Sequence, residues 1–194
     1  MTLISLVRHG QTDWNLAGRL QGSTDIPLND TGRRQAHDAA LAIEVDGPVF
    51  LAASDLSRAA ETASIIGADR GWGRPVLLPE LRERQYGDAE GTLVADFTAE
   101  YGPWNQAVIP GAETREQVAE RAFAALHLLA RRARQALPAS SPHVVAVSHG
   151  GVIGTLIRAI SKDTLPQPGR KVENGSVHTF RVERDRISLL QLVR

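Results

Sequence analysis

The stretch HVVAVSHGGVI, residues 143–153, decides the fold. Its first six residues are an apolar, β-branched run of strand length, and the Gly-Gly pair after His149 opens a helical segment that ends before Lys162. The same ending recurs near the start of the chain. Residues 3–8, LISLVR, read as a short buried strand, and His9-Gly10 follows directly. A third run, PVFLAA at 48–53, is also strand-like, and the tail offers strands at 176–182 and 186–193 around a tight turn at Arg184-Asp185.

Helical patterns lie between these strands. Residues 30–44 place Ala36, Ala39, Ala40 and Ile43 on one face. Residues 55–67 do the same with Leu56, Ala60, Ala63 and Ile66, with Ser54 or Asp55 placed to cap the start. The longest, 114–136, carries Val118, Ala122, Leu126, Leu129 and Ala133, with Thr114 as its capping candidate. Alternating strands and helices predict an α/β fold: a three-layer α/β/α sandwich with a mostly parallel central sheet and mixed edge strands. Residues 84–112 are irregular, with a weak helix near 92–101, and read as a lid or substrate wall. No repeat, low-complexity tract or linker divides the chain, so residues 1–194 are expected to form one domain.

Composition narrows the function. The 22 basic and 22 acidic side chains cancel, so no global field recruits nucleic acid or an anionic membrane, and any anion site is built locally. With no cysteine, a disulfide framework and a thiolate metal site are excluded. No apolar run approaches the roughly 20 residues of a membrane span, and no targeting segment precedes the first strand, so a cytoplasmic location is expected. Nothing in the pattern marks an oligomer interface; a homo-oligomer stays open.

Ligands of open α/β sheets bind beyond the carboxyl ends of the strands. His9 and His149 both sit there, and the neighbouring glycines are expected to let backbone N–H groups approach a ligand. Gly150 also opens a helix, whose N-terminus favours anions. Either histidine could instead be a strand-end residue satisfied by the backbone. A two-histidine zinc site lacks a third ligand, and Arg8 beside it repels a cation. The arginines favour another reading. Arg8 precedes His9, and Arg58 follows the strand at 48–53 on the same rim. Paired guanidinium donors suit a phosphate dianion.

These segments resemble the histidine phosphatase superfamily, in its phosphoglycerate mutase-like branch. The resemblance rests on LVRHGQTDWN (6–15), LNDTGRRQA (28–36), SDLSRAAETA (54–63), LRERQYGDAEG (81–91) and VVAVSHGGVI (144–153), in the family's order. It implies a phosphoglycerate mutase-like fold and roles for matching positions. His9 would be the nucleophile that forms a phosphohistidine. Arg8, Arg58, His149 and Asn15 would bind the phosphoryl oxygens, with Gln21, Gly22 and Gly150 lining the substrate. Glu83 would be the general acid, with Glu80 a neighbour of the same chemistry. A protonated His149 would add to the charge of the arginines, and no metal or other cofactor is needed.

Two departures touch the substrate wall. Ala89 stands where many relatives carry Trp, so a wall is enlarged or repacked, and residues 110–114 read PGAET where relatives often have Gly-Glu-Ser. Glu113 and Thr114 are expected to open the long helix and could also face the pocket. The segment between Gly87 and the long helix is short, which favours a phosphatase acting on a small phosphorylated metabolite over a phosphoglycerate mutase. A non-catalytic phospho-ligand module would be expected to lack a motif residue, and none is missing. The wall is expected from residues 14–21 and 84–112. Tyr86 and Trp104 serve as contacts or as lid core, and Arg82 and Arg84 are candidates for a substrate carboxylate.

Overall fold

The computed structural model describes residues 1–104, 106–138, 140–167 and 170–192. Two strands form its centre. β1 (Thr2–Arg8) and β4 (His143–Ser148) run parallel, with Ile4 opposite Val144 and Arg8 opposite Ser148. β2 (Val49–Ala53) extends the parallel set beyond β4, and β3 (Val76–Leu77) closes that edge. On the other side β5 (Val177–Val182) pairs antiparallel with β1, and β6 (Ile187–Leu192) pairs antiparallel with β5. The order is β3-β2-β4-β1-β5-β6. The mostly parallel sheet with mixed edges is therefore as expected. Val193, the last residue of the expected tail strand, lies outside the described residues.

Side chains alternate across the central strands and divide the core in two. Ile4, Leu6, Val144 and Ala146 pack against α5 (Arg115–Ala136) and α6 (Gly150–Ser161) through Val118, Leu126, Leu129, Ile153 and Leu156. Val7, Val145 and Val147 face the opposite side, where α2 (Asp30–Ala42) and α3 (Ser57–Arg70) supply Ala39, Ala40, Ala63 and Ile66. Small residues on α2 and α3 allow close approach to that face.

Caps follow the sequence in part. Thr114 caps α5 in a reciprocal capping box with Gln117, as expected. The expected cap of α3 by Ser54 or Asp55 is corrected. Asp25, far away in sequence, accepts from the Ser57 N–H and hydroxyl at 2.8 Å each, while the Asp55 carboxylate is held by Arg82.

One short helix escapes the sequence patterns and one is shorter than expected. α1 (Asp13–Leu16) is a single turn with Thr12 and Asn15 in a capping box. α4 (Phe97–Tyr101) is all that forms of the weak helix near 92–101. The 84–112 excursion nevertheless has its own small core of Leu20, Ala89, Phe97 and Ile109. Backbone hydrogen bonds from Leu20 to Thr92, Gly91 to Leu20 and Val94 to Gly18 join it to residues 18–20.

Candidate active site

The pairing of β1 with β4 fixes the first relation. His9 and His149 follow directly on adjacent strand ends, and the His9 N–H donates to the Ser148 carbonyl at 3.0 Å. Their rings lie 5.0 Å apart, centroid to centroid, and both residues are buried. They sit at the base of a cavity of about 1000 Å³ that also takes in Arg8, Asn15, Gln21, Gly22, Arg58, Glu83 and Gly150. His149 lies against His9 just below its lining residues. All nine sequence candidates thus converge on one place.

His9 Nδ1 is 2.7 Å from the Gly10 carbonyl oxygen. A carbonyl only accepts, so Nδ1 carries the proton and Nε2 keeps its lone pair. Burial, and then the charges of Arg8 and Arg58, hold this ring well below the ordinary pKa of 6.5, so it is neutral near pH 7. His149 is lowered in the same way, by burial first and then by Arg58, His9 and Arg8. In the free site His149 is therefore neutral near pH 7, and the expected protonated form concerns a site that holds a phosphoryl group.

The donors around these rings are fixed by backbone, not by carboxylates. Arg58 is fully buried and donates through Nη1 to the Thr24 carbonyl at 2.9 Å and through Nη2 to the Gly22 carbonyl at 2.8 Å. Arg8 donates through Nη1 to the Val172 carbonyl. Arg8 Nε, Arg58 Nε and both His149 ring nitrogens are buried without a partner among the described residues, as is Gln21 Oε1. Buried polar groups are normally satisfied, so this concentration of unused groups at one spot marks a polar-ligand site. Asn15 completes the set. Its Oδ1 accepts from Thr12 N–H and from Asn174 Nδ2, both at 3.2 Å, which leaves its own Nδ2 protons for the cavity.

Glu83 is brought in by the turn Pro79–Leu81, whose Leu81 carbonyl accepts from the Ser148 hydroxyl at 2.9 Å. Its carboxylate accepts from Gly151 N–H at 2.9 Å, Val152 N–H at 3.2 Å and Arg84 N–H at 2.8 Å. The acceptor at the N-terminus of α6 is thus the Glu83 carboxyl group. Glu80 is exposed and outside the cavity, which separates the two carboxylates.

Several expectations change. Gly10 does not present its N–H to a ligand. That N–H donates to Thr62 Oγ1 at 3.1 Å, and a Cβ at Gly10 would collide with the Gly32 backbone. Gly150 leaves room for Arg8, whose Nε lies 3.1 Å from where a Cβ would stand. Arg82 is removed as a substrate contact by its two hydrogen bonds to Asp55. Arg84 does line the cavity, with its guanidinium 5.0 Å over the Tyr86 ring. Glu113 turns away from the cavity to pair with Arg121 at 2.8 Å. Ala89 is buried in the lid core, so that position is repacked. Tyr86 and Trp104 each serve both expected roles: both line the cavity, and Trp104 stacks on Phe97 at 3.7 Å.

Sequence reasoning missed Asn174, Thr62, Arg121 and Glu90. Asn174 Nδ2 donates to the His9 carbonyl at 2.9 Å. Arg121 donates to the carbonyls of Glu80 and Arg82, at 3.1 and 2.8 Å, and steadies the segment that carries Glu83. The signal for Thr62 and Glu90 lay inside quoted motifs, but only the fold shows their partners. Among the described residues no group of three or more His, Asp or Glu side chains is arranged to hold a metal, and no helix is long and apolar enough to cross a membrane.

This geometry sets a polar-ligand cavity at the strand ends of an α/β fold, and comparison with known proteins names its family. Residues 4–194 match the model of the histidine phosphatase superfamily, branch 1. Among curated relatives, the uncharacterized phosphatase PhoE of Bacillus subtilis is 39% identical over 83% of this chain and 78% of its own. An Arabidopsis thaliana metal-independent phosphoserine phosphatase is 32% identical over 92% and 75%, and the Yersinia pestis protein GpmB, named for phosphoglycerate mutase, 36% over 82% and 75%. Among solved structures, a mycobacterial glucosyl-3-phosphoglycerate phosphatase in complex with VO3 superposes with a TM-score of 0.80, at 30% identity and 97% coverage of both chains. The chain belongs to the histidine phosphatase superfamily.

Proposed function

We propose that the protein is a metal-independent phosphatase that hydrolyses a small phosphorylated metabolite through a phosphohistidine on His9. One observation carries this reading: the neutral, buried His9 ring, with Nδ1 committed to Gly10, stands among arginine and histidine nitrogens that lack partners among the described residues. Nε2 of His9 attacks phosphorus, and the bond from phosphorus to the ester oxygen breaks. That oxygen takes a proton from the Glu83 carboxyl. Glu83 then accepts a proton from water as the water oxygen attacks phosphorus, the phosphorus–nitrogen bond breaks, and inorganic phosphate leaves. Charge on the equatorial oxygens is met by Arg8, Arg58, Asn15 and His149, which acquires its proton when the dianion arrives.

Hydrolysis is favoured over mutase chemistry by the wall. The excursion is short, and Arg115, Glu116 and Arg158 among the cavity's lining residues are exposed, so the cavity opens to solvent on that side. Arg84, Arg115 and Arg158 line that side without a carboxylate partner among the described residues. They fit a metabolite carrying a second anionic group, as phosphoserine does.

The test is hydrolysis of p-nitrophenyl phosphate in EDTA by wild type and His9→Ala, with intact mass after an acid-free quench. The expected result is EDTA-resistant turnover and a phosphate adduct, both lost in His9→Ala. Turnover that survives His9→Ala, or that EDTA abolishes, would overturn the route.

A further inference from the structure

Glu90 lies outside the cavity lining, yet its carboxylate is among the most heavily used acceptors in the molecule. Oε1 accepts from the Ser23 N–H at 2.8 Å, the Ser23 hydroxyl at 3.0 Å and the Tyr86 N–H at 3.2 Å. Oε2 accepts from the Thr24 N–H at 2.8 Å and from the Thr24 hydroxyl. Burial pushes this carboxyl up, but the Thr24 hydroxyl and the Ser23, Thr24 and Tyr86 N–H groups together bring it below the ordinary value, so it is an anion at neutral pH.

The segment so gripped is the one that aims Arg58. The peptide unit between Gly22 and Ser23 is bonded at both ends. Its carbonyl accepts from Arg58 Nη2 at 2.8 Å, and its N–H donates to Glu90 at 2.8 Å. A cation and an anion polarise one amide from opposite sides, which strengthens both hydrogen bonds. The Thr24 carbonyl takes the other Arg58 nitrogen. Gly22 is in the left-handed region at φ 58°, and a Cβ there would collide with the Glu90 carboxylate, so the glycine makes the grip possible. Fixing the guanidinium through neutral carbonyls leaves its charge and its Nε for a ligand, with the countercharge one peptide away.

We propose that Glu90 is a positioning residue for the phosphoryl clamp: it holds the backbone of residues 22–24 so that their carbonyls orient Arg58. This rests on the reading of the cavity as a phosphoryl site. The rival is a loop anchor that serves stability alone.

A double-mutant cycle separates them. Orthovanadate affinity by calorimetry and kcat/KM on p-nitrophenyl phosphate are measured for wild type, Glu90→Gln, Arg58→Ala and the double variant, with melting temperatures alongside. If Glu90 acts through Arg58, Glu90→Gln loses about tenfold in both readouts in the wild-type background and less than about twofold in the Arg58→Ala background. Equal losses in both backgrounds, or a fall in melting temperature alone, would overturn the proposal. Thr24→Val, which removes one donor to Glu90, repeats the cycle should Glu90→Gln not fold. Vanadate binding without turnover would count against the phosphatase reading while the affinity cycle still decides for Glu90. A wild type that binds no vanadate would remove both.

Discussion

Glu83 accepts from three backbone N–H groups, two of them at the start of α6. That arrangement requires glycine at 151, because a Cβ there would strike the Glu83 carboxylate. Gly151 has no left-handed φ, so alanine is tolerated by the backbone and acts only on its neighbour. Gly151→Ala should therefore behave as a displaced acid. Turnover of an alkyl phosphate should fall by about 10²-fold, within the range of general acid catalysis, and that of p-nitrophenyl phosphate by much less. Equal losses on the two substrates would take the proton-donor role from Glu83. Most of the site was legible at this scale because each motif joins a chemically distinctive residue to a strand end or helix start. His9, His149, Arg8 and Arg58 need only their position on the rim to be read. Glu83 and Glu80 differ in nothing the local sequence displays; one faces the cavity because Ser148 holds Leu81. Asn174 and Glu90 were illegible because their whole meaning lies in partners distant in sequence.

Among the elements, the segment after β1 and the start of α2 approach each other closely near the site. A Cβ at Gly32 would meet the Gln11 backbone, just as one at Gly10 would meet Gly32. Neither clash can be relieved by turning a side chain. Gly32→Ala lies outside the cavity lining but pushes on the segment carrying His9. It should destabilise the protein by roughly 2 kcal/mol, the usual cost of overpacking, and lower kcat/KM as well. Urea denaturation and turnover check both effects, and wild-type values in both would refute the contact. The long elements were readable because apolar periodicity accumulates over many residues. β3 and α1 were not, since two and four residues carry too little pattern. The cap of α3 was misread because its carboxylate, Asp25, comes from another loop.

The molecule as a whole has no net charge, yet its buried histidines link its stability to pH. His9 and His149 are held well below 6.5, and His178 is lowered by burial to about 4. Each titrates near its ordinary value once unfolded, so below that value the unfolded chain binds more protons. Their contribution is fully present above pH 6.5 and is lost as pH falls toward the folded values. The His178 shift alone corresponds to roughly 3 kcal/mol by pH 4. Urea midpoints should drop between pH 7.5 and 5 in ligand-free buffer. The drop should be smaller in millimolar sulfate, whose charge is constant there and which favours a charged His149. A midpoint that is flat or rises toward acid would contradict this. The outer wall stands apart from such linkage. Leu20, Ala89, Phe97 and Ile109 pack with one another, separately from either sheet face. The wall therefore has a core of its own, and the part of it beyond the Glu90 contact can be reshaped while the strand ends at His9 and His149 keep their pairing.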